Sequence, residues 1–227
     1  MYRYETHLHT LPVSGCAKVT AEACVPFYKE LGYAGIFVTN HFIRDCQNYE
    51  EQLRFYCSDY KTAKAIGDEI GLKVFFGIEL TVAPGTDFLV YGLDEAWYLN
   101  NRQIMDMPTR EKLSYMAQAG ALIIQAHPFR EAGYIDHIRL FPRNIHGVEV
   151  YNANRTELEN RMAQIYGENY GLLPFAGSDN HKGPAQTLLG GMEFCTPITD
   201  EADFVNRVKA GEGRLFRENL LDFSCNP

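Results

Sequence analysis

Gly32-Tyr-Ala-Gly-Ile-Phe-Val-Thr-Asn-His41 is a short segment that combines three features of one structural unit. Gly32 can end a preceding helix, because glycine adopts left-handed backbone angles at little cost. The apolar run that starts at Ala34 is typical of a strand buried on both faces of a parallel sheet. Asn40 and His41 follow where that strand ends. This order predicts a βα unit with polar side chains at the carboxyl end of its strand.

The same succession of helix, glycine and apolar run recurs along the chain. Further buried strands are predicted at 73–79, 87–91, 121–126, 147–151 and 172–176, after a first strand that leads into His7. Helices are predicted at 20–31, 49–70, 109–119 and 155–170, with Asn154 as an N-cap, and from Thr199 to Gly211. The pattern has no linker, and it predicts one α/β domain over residues 1–227, closed or nearly closed as a barrel. An open doubly wound sheet is the alternative.

The composition and net charge of the chain restrict the classes of molecule that it can bind. The 227 residues are 46% hydrophobic and carry a formal net charge of −8, with no run of lysine or arginine. An acidic protein repels duplex nucleic acid and phospholipid surfaces, so neither is a predicted partner. A small anionic substrate stays compatible, because bound cations can reverse the local field. The pattern indicates no particular oligomeric state.

The cysteines and the amino-terminal residues bear on the cellular compartment. The six cysteines form no C-x-x-C pair, which predicts reduced thiols rather than a disulfide framework. No apolar leader precedes His7, and no apolar run is long enough to span a bilayer. A cytoplasmic location is the expectation.

Imidazole and carboxylate side chains follow five of the predicted strands. They are His7 and His9, His41, Glu79, His127, and Asp179 with His181. Because the strands of βα units end on one face of the sheet, these side chains are predicted to converge. One such histidine is more often structural than a ligand, but burying several together is costly without cations. The mix of imidazole and carboxylate, without thiolate pairs, favours Zn, Mn or Fe at an open catalytic site.

The motifs resemble the PHP (polymerase and histidinol phosphatase) family of metal-dependent phosphoesterases over about residues 1–215. They are His7-Leu-His9-Thr10, Val38-Thr-Asn-His41, Gly77-Ile-Glu79, Ala126-His-Pro-Phe129 and Gly177-Ser-Asp-Asn-His181. The resemblance implies a distorted (β/α)7 barrel of mainly parallel strands, with the metal site at their carboxyl ends. Residues 216–227 would then form a carboxyl-terminal extension.

The resemblance also implies metal ligands. A first cation would be bound by His7, His9, Glu79 and Asp179, a second by Glu79 as a bridge with His127, and a third by His41 and His181. The chain departs from the family pattern at Gly15-Cys16, Asn40 and Asp87. Asp87 can still ligate the second cation, whereas the third site lacks a ligand unless Cys16 supplies a thiolate. Two divalent cations are therefore predicted, and a third depends on Cys16.

The predicted function is hydrolysis of a small phosphomonoester or a nucleotide-type phosphodiester by a metal-activated hydroxide. Arg130 is the predicted catalytic group that holds a phosphate oxygen, although a surface arginine is an equal alternative, and Arg155 and Lys182 are weaker candidates. His181 is the predicted proton donor to the leaving alcohol. Two alternatives remain: an amidohydrolase-like enzyme that cleaves a C–N or C–O bond, and a non-catalytic metal-binding module.

Overall fold

The computed structural model describes residues 1–43 and 47–222. Nine strands are present in this part of the chain: β1 (Tyr2–Leu8), β2 (Gly35–Val38), β3 (Lys73–Ala83), β4 (Thr86–Tyr91), β5 (Leu122–Ala126), β6 (Gly147–Asn152), β7 (Leu173–Gly177), β8 (Leu188–Phe194) and β9 (Arg214–Asn219). Its α-helices are α1 (Ala21–Glu30), α2 (Tyr49–Ile70), α3 (Glu95–Asn100), α4 (Thr109–Gln118), α5 (Glu157–Tyr170) and α6 (Glu201–Lys209).

The strands form one sheet in the order β7-β6-β5-β4-β3-β2-β1-β8-β9. The pairs β1–β2, β2–β3, β5–β6 and β6–β7 are parallel, whereas β4 and β8 are antiparallel to both of their neighbours. The protein is therefore a mixed α/β fold with a nearly closed, barrel-shaped sheet that is parallel in part. The distorted (β/α)7 barrel of mainly parallel strands that the resemblance implies is confirmed only in part, because four of the eight strand pairs in the described residues are antiparallel. The predicted extension from residue 216 includes part of β9, which pairs with β8.

The reversal at β4 has a local cause in the sequence. Only Pro84 and Gly85 separate β3 from β4, and Gly85 has a φ of 70°. A parallel neighbour needs a crossover of a dozen residues or more, so a connection this short forces an antiparallel pair. The reversal places Asp87 near the start of β4, at the same rim as the carboxyl ends of the parallel strands.

The barrel closes where the segment that follows β7 lies beside β1. Leu8 and Asn180 form a parallel bridge, the His9 amide donates to the Asn180 carbonyl at 3.0 Å, and the Asn180 amide donates to the His7 carbonyl at 3.1 Å. The segment after β7 therefore runs alongside β1. This contact brings the His7-Leu-His9 and Asp179-Asn-His181 pairs together, as the motifs predicted.

Most helix boundaries agree with those predicted from the glycine pattern. The N-caps of α5 and α6 differ from the predicted ones. Gly71 and Gly171 end α2 and α5 in the left-handed conformation. The N-cap of α5 is Thr156 and not Asn154, because Thr156 and Glu159 form a reciprocal capping box. The N-cap of α6 is Asp200 rather than Thr199, since its side chain accepts from the Asp203 amide. The observed cap lies two residues after the predicted one in α5 and one residue after it in α6.

One cluster of the hydrophobic core contains Phe37, Tyr91 and Phe204. Phe204 of α6 is fully buried, and its ring centroid lies 4.3 Å from that of Phe37 and 5.4 Å from that of Tyr91. Within residues 1–43 and 47–222, no helix combines the length and apolarity needed to cross a membrane. Four cysteines in the same ranges have free thiols (Cys16, Cys24, Cys57 and Cys195), and Cys46 and Cys225 lie outside them.

Candidate metal centre

Glu79 lies at the centre of the polar cluster and contacts four histidines. Its Oε1 is 3.2 Å from His7 Nε2 and 3.1 Å from His127 Nε2. Its Oε2 is 2.7 Å from His41 Nδ1 and 3.4 Å from His9 Nε2. The carboxylate is 1% exposed. The five side chains come from four separate segments of the chain, since His7 and His9 share one, and they converge at one rim of the barrel as the sequence predicted.

Glu149 in β6 orients two of these histidines. Its Oε1 lies 2.9 Å from His7 Nδ1, and its Oε2 accepts from the His127 amide at 3.0 Å and from Asn152 Nδ2 at 2.9 Å. A hydrogen bond at Nδ1 directs the Nε2 lone pair of His7 toward the cluster. The pair needs a glycine at position 177, since a Cβ there would lie 2.5 Å from His7 Cβ and 2.8 Å from Glu149 Oε1.

Ser14 contacts both His9 and His41. Its hydroxyl lies 3.1 Å from His9 Nδ1 and accepts from the His41 amide at 3.0 Å. His9 Nε2 is thereby directed toward His7 Nε2, 3.1 Å away. The ring centroid of His9 is 4.2 Å from that of His181 and 4.5 Å from that of His41. His9 therefore lies between the two halves of the cluster.

Asp179 and His127 hold unusual backbone conformations. Their φ angles are 50° and 26°, in the left-handed region that side chains with a Cβ rarely adopt. Asp179 Oδ1 lies 3.5 Å from both His7 Nε2 and His9 Nε2, and 3.2 Å from His181 Nδ1. Strained backbone at two members of one polar cluster is typical of a functional site.

The charges in the cluster are strongly coupled. Burial alone would raise the pKa of the Glu79 carboxyl, but the imidazoles of His41 and His7 hold that pKa well below its usual value. The Asp179 carboxyl likewise has a lowered pKa, since His7 and a hydrogen bond from His181 outweigh its burial. Burial outweighs the attraction of Glu79 and lowers the pKa of His9 well below its usual value. Ionised carboxylates and neutral imidazole are the forms that bind cations.

The donor set fits divalent cations. The ligand atoms form three overlapping groups whose members lie within 4.8 Å of one another: His7, Glu79 and His127; His7, His9 and Asp179; His9, His41 and His181. Glu79 Oε2, His41 Nδ1 and His127 Nδ1 are buried without a hydrogen-bond partner. Glu79 Oε2 and His41 Nδ1 face each other without hydrogen-bond geometry. Buried ligand atoms that converge without satisfied hydrogen bonds are what a cation would satisfy.

Two predicted site residues lie beside the cluster rather than in it. Asp87 is 3% exposed and lines the same cavity, and burial raises the pKa of its carboxyl, but it belongs to none of the three groups. Arg130 also lines the cavity, and its amide donates to the His127 carbonyl at 2.9 Å. Its guanidinium hydrogen-bonds the Tyr134 hydroxyl. Asp87 and Arg130 are therefore within the site but do not contact Glu79.

Asn40 does not face the cluster, although its sequence position suggested a charge missing beside the third cation. Its Oδ1 accepts from the Thr10 amide at 2.7 Å, and its Nδ2 donates to Asp59 Oδ2 at 2.7 Å and to Thr10 Oγ1 at 3.0 Å. Asp59 lies on α2 and is 5% exposed. Asn40 therefore connects the turn after β1 to α2, and its amide donor is matched to a buried carboxylate.

We expect the substitution Asn40→Asp to destabilise the fold by about 2 kcal/mol at neutral pH, because it places a second carboxylate against Asp59. The pair would share a proton, so the folded-state pKa of one carboxyl rises above its unfolded value. The lost stability should therefore return as the pH falls below that raised pKa. Urea unfolding at pH 7 and pH 5 measures both effects.

The double variant Asn40→Asp with Asp59→Asn is the control, since it exchanges the amide and the carboxylate. It should recover most of the stability at pH 7. Equal stability of Asn40→Asp and the unchanged protein at both pH values would show that the hydrogen bond to Asp59 contributes nothing.

The comparisons with known proteins bear on the fold. No family model and no curated protein sequence matches the chain. Among solved structures, a two-domain protein from Bacteroides vulgatus containing a predicted PHP-like metal-dependent phosphoesterase matches with a TM-score of 0.69 and 14% identity, over 95% of this chain and 64% of that one. A Bifidobacterium adolescentis protein described as a metal-dependent phosphoesterase has a TM-score of 0.59 and 14% identity, over 90% and 95% of the two chains. This chain has a PHP-like fold.

The match confirms the resemblance that the motifs predicted. This PHP-like chain spans less than two thirds of the length of the Bacteroides protein. It is also similar to an amidohydrolase from Chromobacterium violaceum, whose structure contains sulfate and no metal, with a TM-score of 0.59 and 15% identity over 98% and 99% of the two chains. At 14–15% identity, these neighbours show the fold of this chain alone.

Proposed function

We propose that this protein is a metal-dependent phosphoesterase that hydrolyses a small phosphomonoester or a short nucleotide-type phosphodiester. The observation that carries the proposal is the position of Glu79 between two histidine pairs. One carboxylate oxygen faces His7 and His127, and the other faces His9 and His41. An anion between two pairs of imidazole donors suits a bridge between two dications.

The cavity around the cluster supports an anionic substrate. It has a volume of about 1150 Å³, and its lining includes four cationic side chains, Lys18, Arg130, Arg155 and Lys182. The Nε atoms of Arg130 and Arg155 are buried and have no hydrogen-bond partner. The same lining contains the carboxylates of Glu79, Asp87 and Asp179, and the four cationic side chains offset their charge in a protein of net charge −8. The Chromobacterium neighbour contains sulfate, a tetrahedral oxyanion of the same shape as phosphate.

Bound cations would lower the pKa of a water molecule and neutralise charge on the phosphoryl oxygens. The chain's own residues orient the ester: the planar guanidinium of Arg130 donates to a non-bridging phosphate oxygen. His181 is half-buried at the rim, and Asp179 raises its pKa to about 9, against the opposing effect of burial. A protonated His181 can donate to the oxygen of the leaving alcohol.

We expect Arg130→Met to lower kcat/KM for the phosphoester about tenfold to a hundredfold, because a charge-assisted hydrogen bond contributes about 1.5–3 kcal/mol. Metal content should not change, since the substitution keeps the backbone contact of Arg130 with His127, and the guanidinium bonds the Tyr134 hydroxyl rather than any clustered ligand. Steady-state kinetics with metal analysis of the same samples measures both quantities.

Arg143→Met is the matched control, since Arg143 is exposed on the same irregular segment and does not line the cavity. It should leave kcat/KM unchanged. An equal loss of kcat/KM in both variants would show that the effect comes from a disturbance of the segment between β5 and β6. It would also show that Arg130 does not bind the substrate.

The direct test of the proposal is phosphate release by purified protein supplied in turn with Mn, Zn or Fe(II). The substrate panel contains phosphomonoesters, short diesters, amides and lactones. Phosphate release that a chelator abolishes and added metal restores is the expected result. Release of phosphate from no ester under any metal, in protein shown to contain metal, would reject the phosphoesterase.

The amidohydrolase neighbour supports a second candidate, cleavage of a C–N or C–O bond by the same centre. Such centres often use a lysine that bridges the metals. Among the described residues, the three ligand groups contain no lysine, and Lys18 and Lys182 line the cavity outside them. Cleavage of an amide or lactone without phosphate release would favour this candidate over the phosphoesterase. A protein that binds cations but cleaves no member of the panel would be the non-catalytic module.

A further inference from the structure

The cavity over the metal centre has two chemically different sides. One side contains the four cationic residues of its lining, Lys18, Arg130, Arg155 and Lys182. Arg130, Arg155 and Lys182 follow β5, β6 and β7 in the chain. The Lys18 amide donates to the His181 carbonyl at 2.7 Å, which places Lys18 beside the segment after β7. These four residues form the cationic side of the cavity.

Apolar side chains line the cavity where the other strands end. They come from the turn after β1, the residues after β2, helix α2 and the hairpin between β3 and β4, and together they form the apolar side: Val13, Phe42, Ile43, Phe55, Val82 and Pro84. Four of these six residues belong to one cluster of the hydrophobic core or pack against it. In a nearly closed barrel with this strand order, β1 to β4 and β5 to β7 occupy opposite halves of the rim. The apolar side therefore faces the cationic side.

Polar groups next to the apolar side are bound to the protein itself. Tyr56 lines the cavity, but its hydroxyl lies 2.9 Å from the Asn40 carbonyl and 2.8 Å from the Gly77 carbonyl. Gln52 also lines the cavity, and its side-chain amide donates to the Gln47 carbonyl. A hydroxylated ligand would lose hydrogen bonds to water on this side and gain few from the protein.

Phe55 is the most exposed aromatic residue of the apolar side. It lies on α2, and 51% of its surface is accessible. A single exposed phenylalanine is ordinary on a protein surface, but Phe55 shares the wall of a cavity of about 1150 Å³ with five other apolar residues. Contiguous apolar surface in a concave site is typical of a ligand-binding groove. A phosphate group alone would leave this surface in contact with water.

We propose that the substrate is a phosphate ester of an aryl or bulky alkyl alcohol, whose organic group lies against the apolar side while its phosphoryl group lies at the metal centre and the cationic side. The inference rests on the proposed function and names the class of ester. Contact between the organic group and Phe55 removes apolar surface of both from water. In the hydrolysis, the oxygen of water bonds to phosphorus, the ester P–O bond breaks, and a proton passes to the released alcohol.

Calorimetric titration of manganese-loaded protein with three phosphonates tests the proposal. Hydrolysis does not cleave their P–C bond, so binding is measured without turnover. We expect phenylphosphonate to bind about tenfold tighter than methylphosphonate or better, because the ring buries additional apolar area. Dihydroxypropylphosphonate has a larger organic group than methylphosphonate, but its hydroxyl groups find few partners. It should bind no tighter than methylphosphonate.

Phe55→Ala is the informative variant, because the side chain of Phe55 is half exposed and its removal leaves the core packed. It should weaken the binding of phenylphosphonate about fivefold and leave that of methylphosphonate unchanged. Tyr170→Ala is the matched control, since Tyr170 is an exposed aromatic residue of α5 and does not line the cavity. It should keep both affinities.

Equal binding of phenylphosphonate and methylphosphonate, binding of neither, or a preference that Phe55→Ala leaves intact would overturn the proposal. Phosphate release plays no part in these titrations. A protein that releases phosphate from esters but binds the two phosphonates equally would retain the phosphoesterase and lose this inference. A protein that prefers phenylphosphonate but releases phosphate from no ester would retain the apolar side as a ligand site and reject the phosphoesterase.

Discussion

Glu79→Gln should reduce phosphate release by about 10³-fold or more and should leave the purified protein depleted of metal. The substitution removes a charge that contacts all four histidines of the two pairs, and the lost electrostatic stabilisation is several kcal/mol. The amide has nearly the shape of the carboxylate, so the core around β3 should not be disturbed. Metal analysis and phosphate release on the same preparation measure the effect.

Thermal unfolding gives an independent readout of the same change. A cation that binds only the folded state stabilises it by about 2.7 kcal/mol at a hundred times Kd, so added metal should raise the Tm of the unchanged protein. Glu79→Gln should lose that increase. Glu193→Gln is the matched control, since Glu193 pairs with Arg3 in a partly exposed contact in β8. A Glu79→Gln protein that keeps its metal and its Tm increase would exclude Glu79 as a ligand.

The convergence of the cluster could be predicted from the sequence because it depends on chain topology alone. Parallel strands deliver their carboxyl ends to one rim, so His7, Glu79 and Asp179 had to meet wherever the strands paired in that way. The partners that orient these residues depend on side-chain geometry across the barrel. Ser14 lies in a turn with no periodic pattern, and nothing in its neighbours indicates that it contacts both His9 and His41.

The number and pairing of the strands in the sheet were harder to predict than the positions of its most apolar strands. Buried strands were recognisable as apolar runs, but the pattern predicted no strand in the segments of β8 and β9. Pro84-Gly85 was a signal that went unused, since a tight turn between two apolar runs indicates a hairpin. β9 has a mixed burial pattern, and four of its six residues are charged or polar, which is typical of an edge strand. β9 follows β8 only after α6, so neither a short turn nor a continuous apolar run marked this pair of strands in the sequence.

Glu5 is the buried group that the sequence pattern missed most completely. The register between β1 and β2 shifts between Glu5 and Leu8, so the strict alternation of the strand is interrupted there. Glu5 Oε1 accepts from the amides of Thr6 and His7, at 2.9 Å each, and from the Ser178 amide at 3.0 Å. The fully buried carboxylate of Glu5 thus joins β1 to the end of β7, next to the segment that holds His7 and His9.

We expect Glu5→Ala to destabilise the protein by about 4 kcal/mol or more. The alanine leaves three buried amides without acceptors, and each unsatisfied group costs about 1–3 kcal/mol. It also removes the acceptor at 2.8 Å from the Tyr28 hydroxyl, and the cavity adds to the loss. Urea unfolding of metal-free protein measures the change without a contribution from bound cations.

Glu5→Gln separates the loss of hydrogen bonds from the loss of charge. Its amide oxygen can accept from the same three backbone amides, and its NH2 group can donate to the Tyr28 hydroxyl, which already accepts from Asn180 Nδ2 at 2.9 Å and has a second lone pair. We therefore expect a loss below about 1.5 kcal/mol, since few bonds are broken. Equal losses in Glu5→Ala and Glu5→Gln would mean that the negative charge, and not the set of acceptors, holds the barrel closed beneath the cluster.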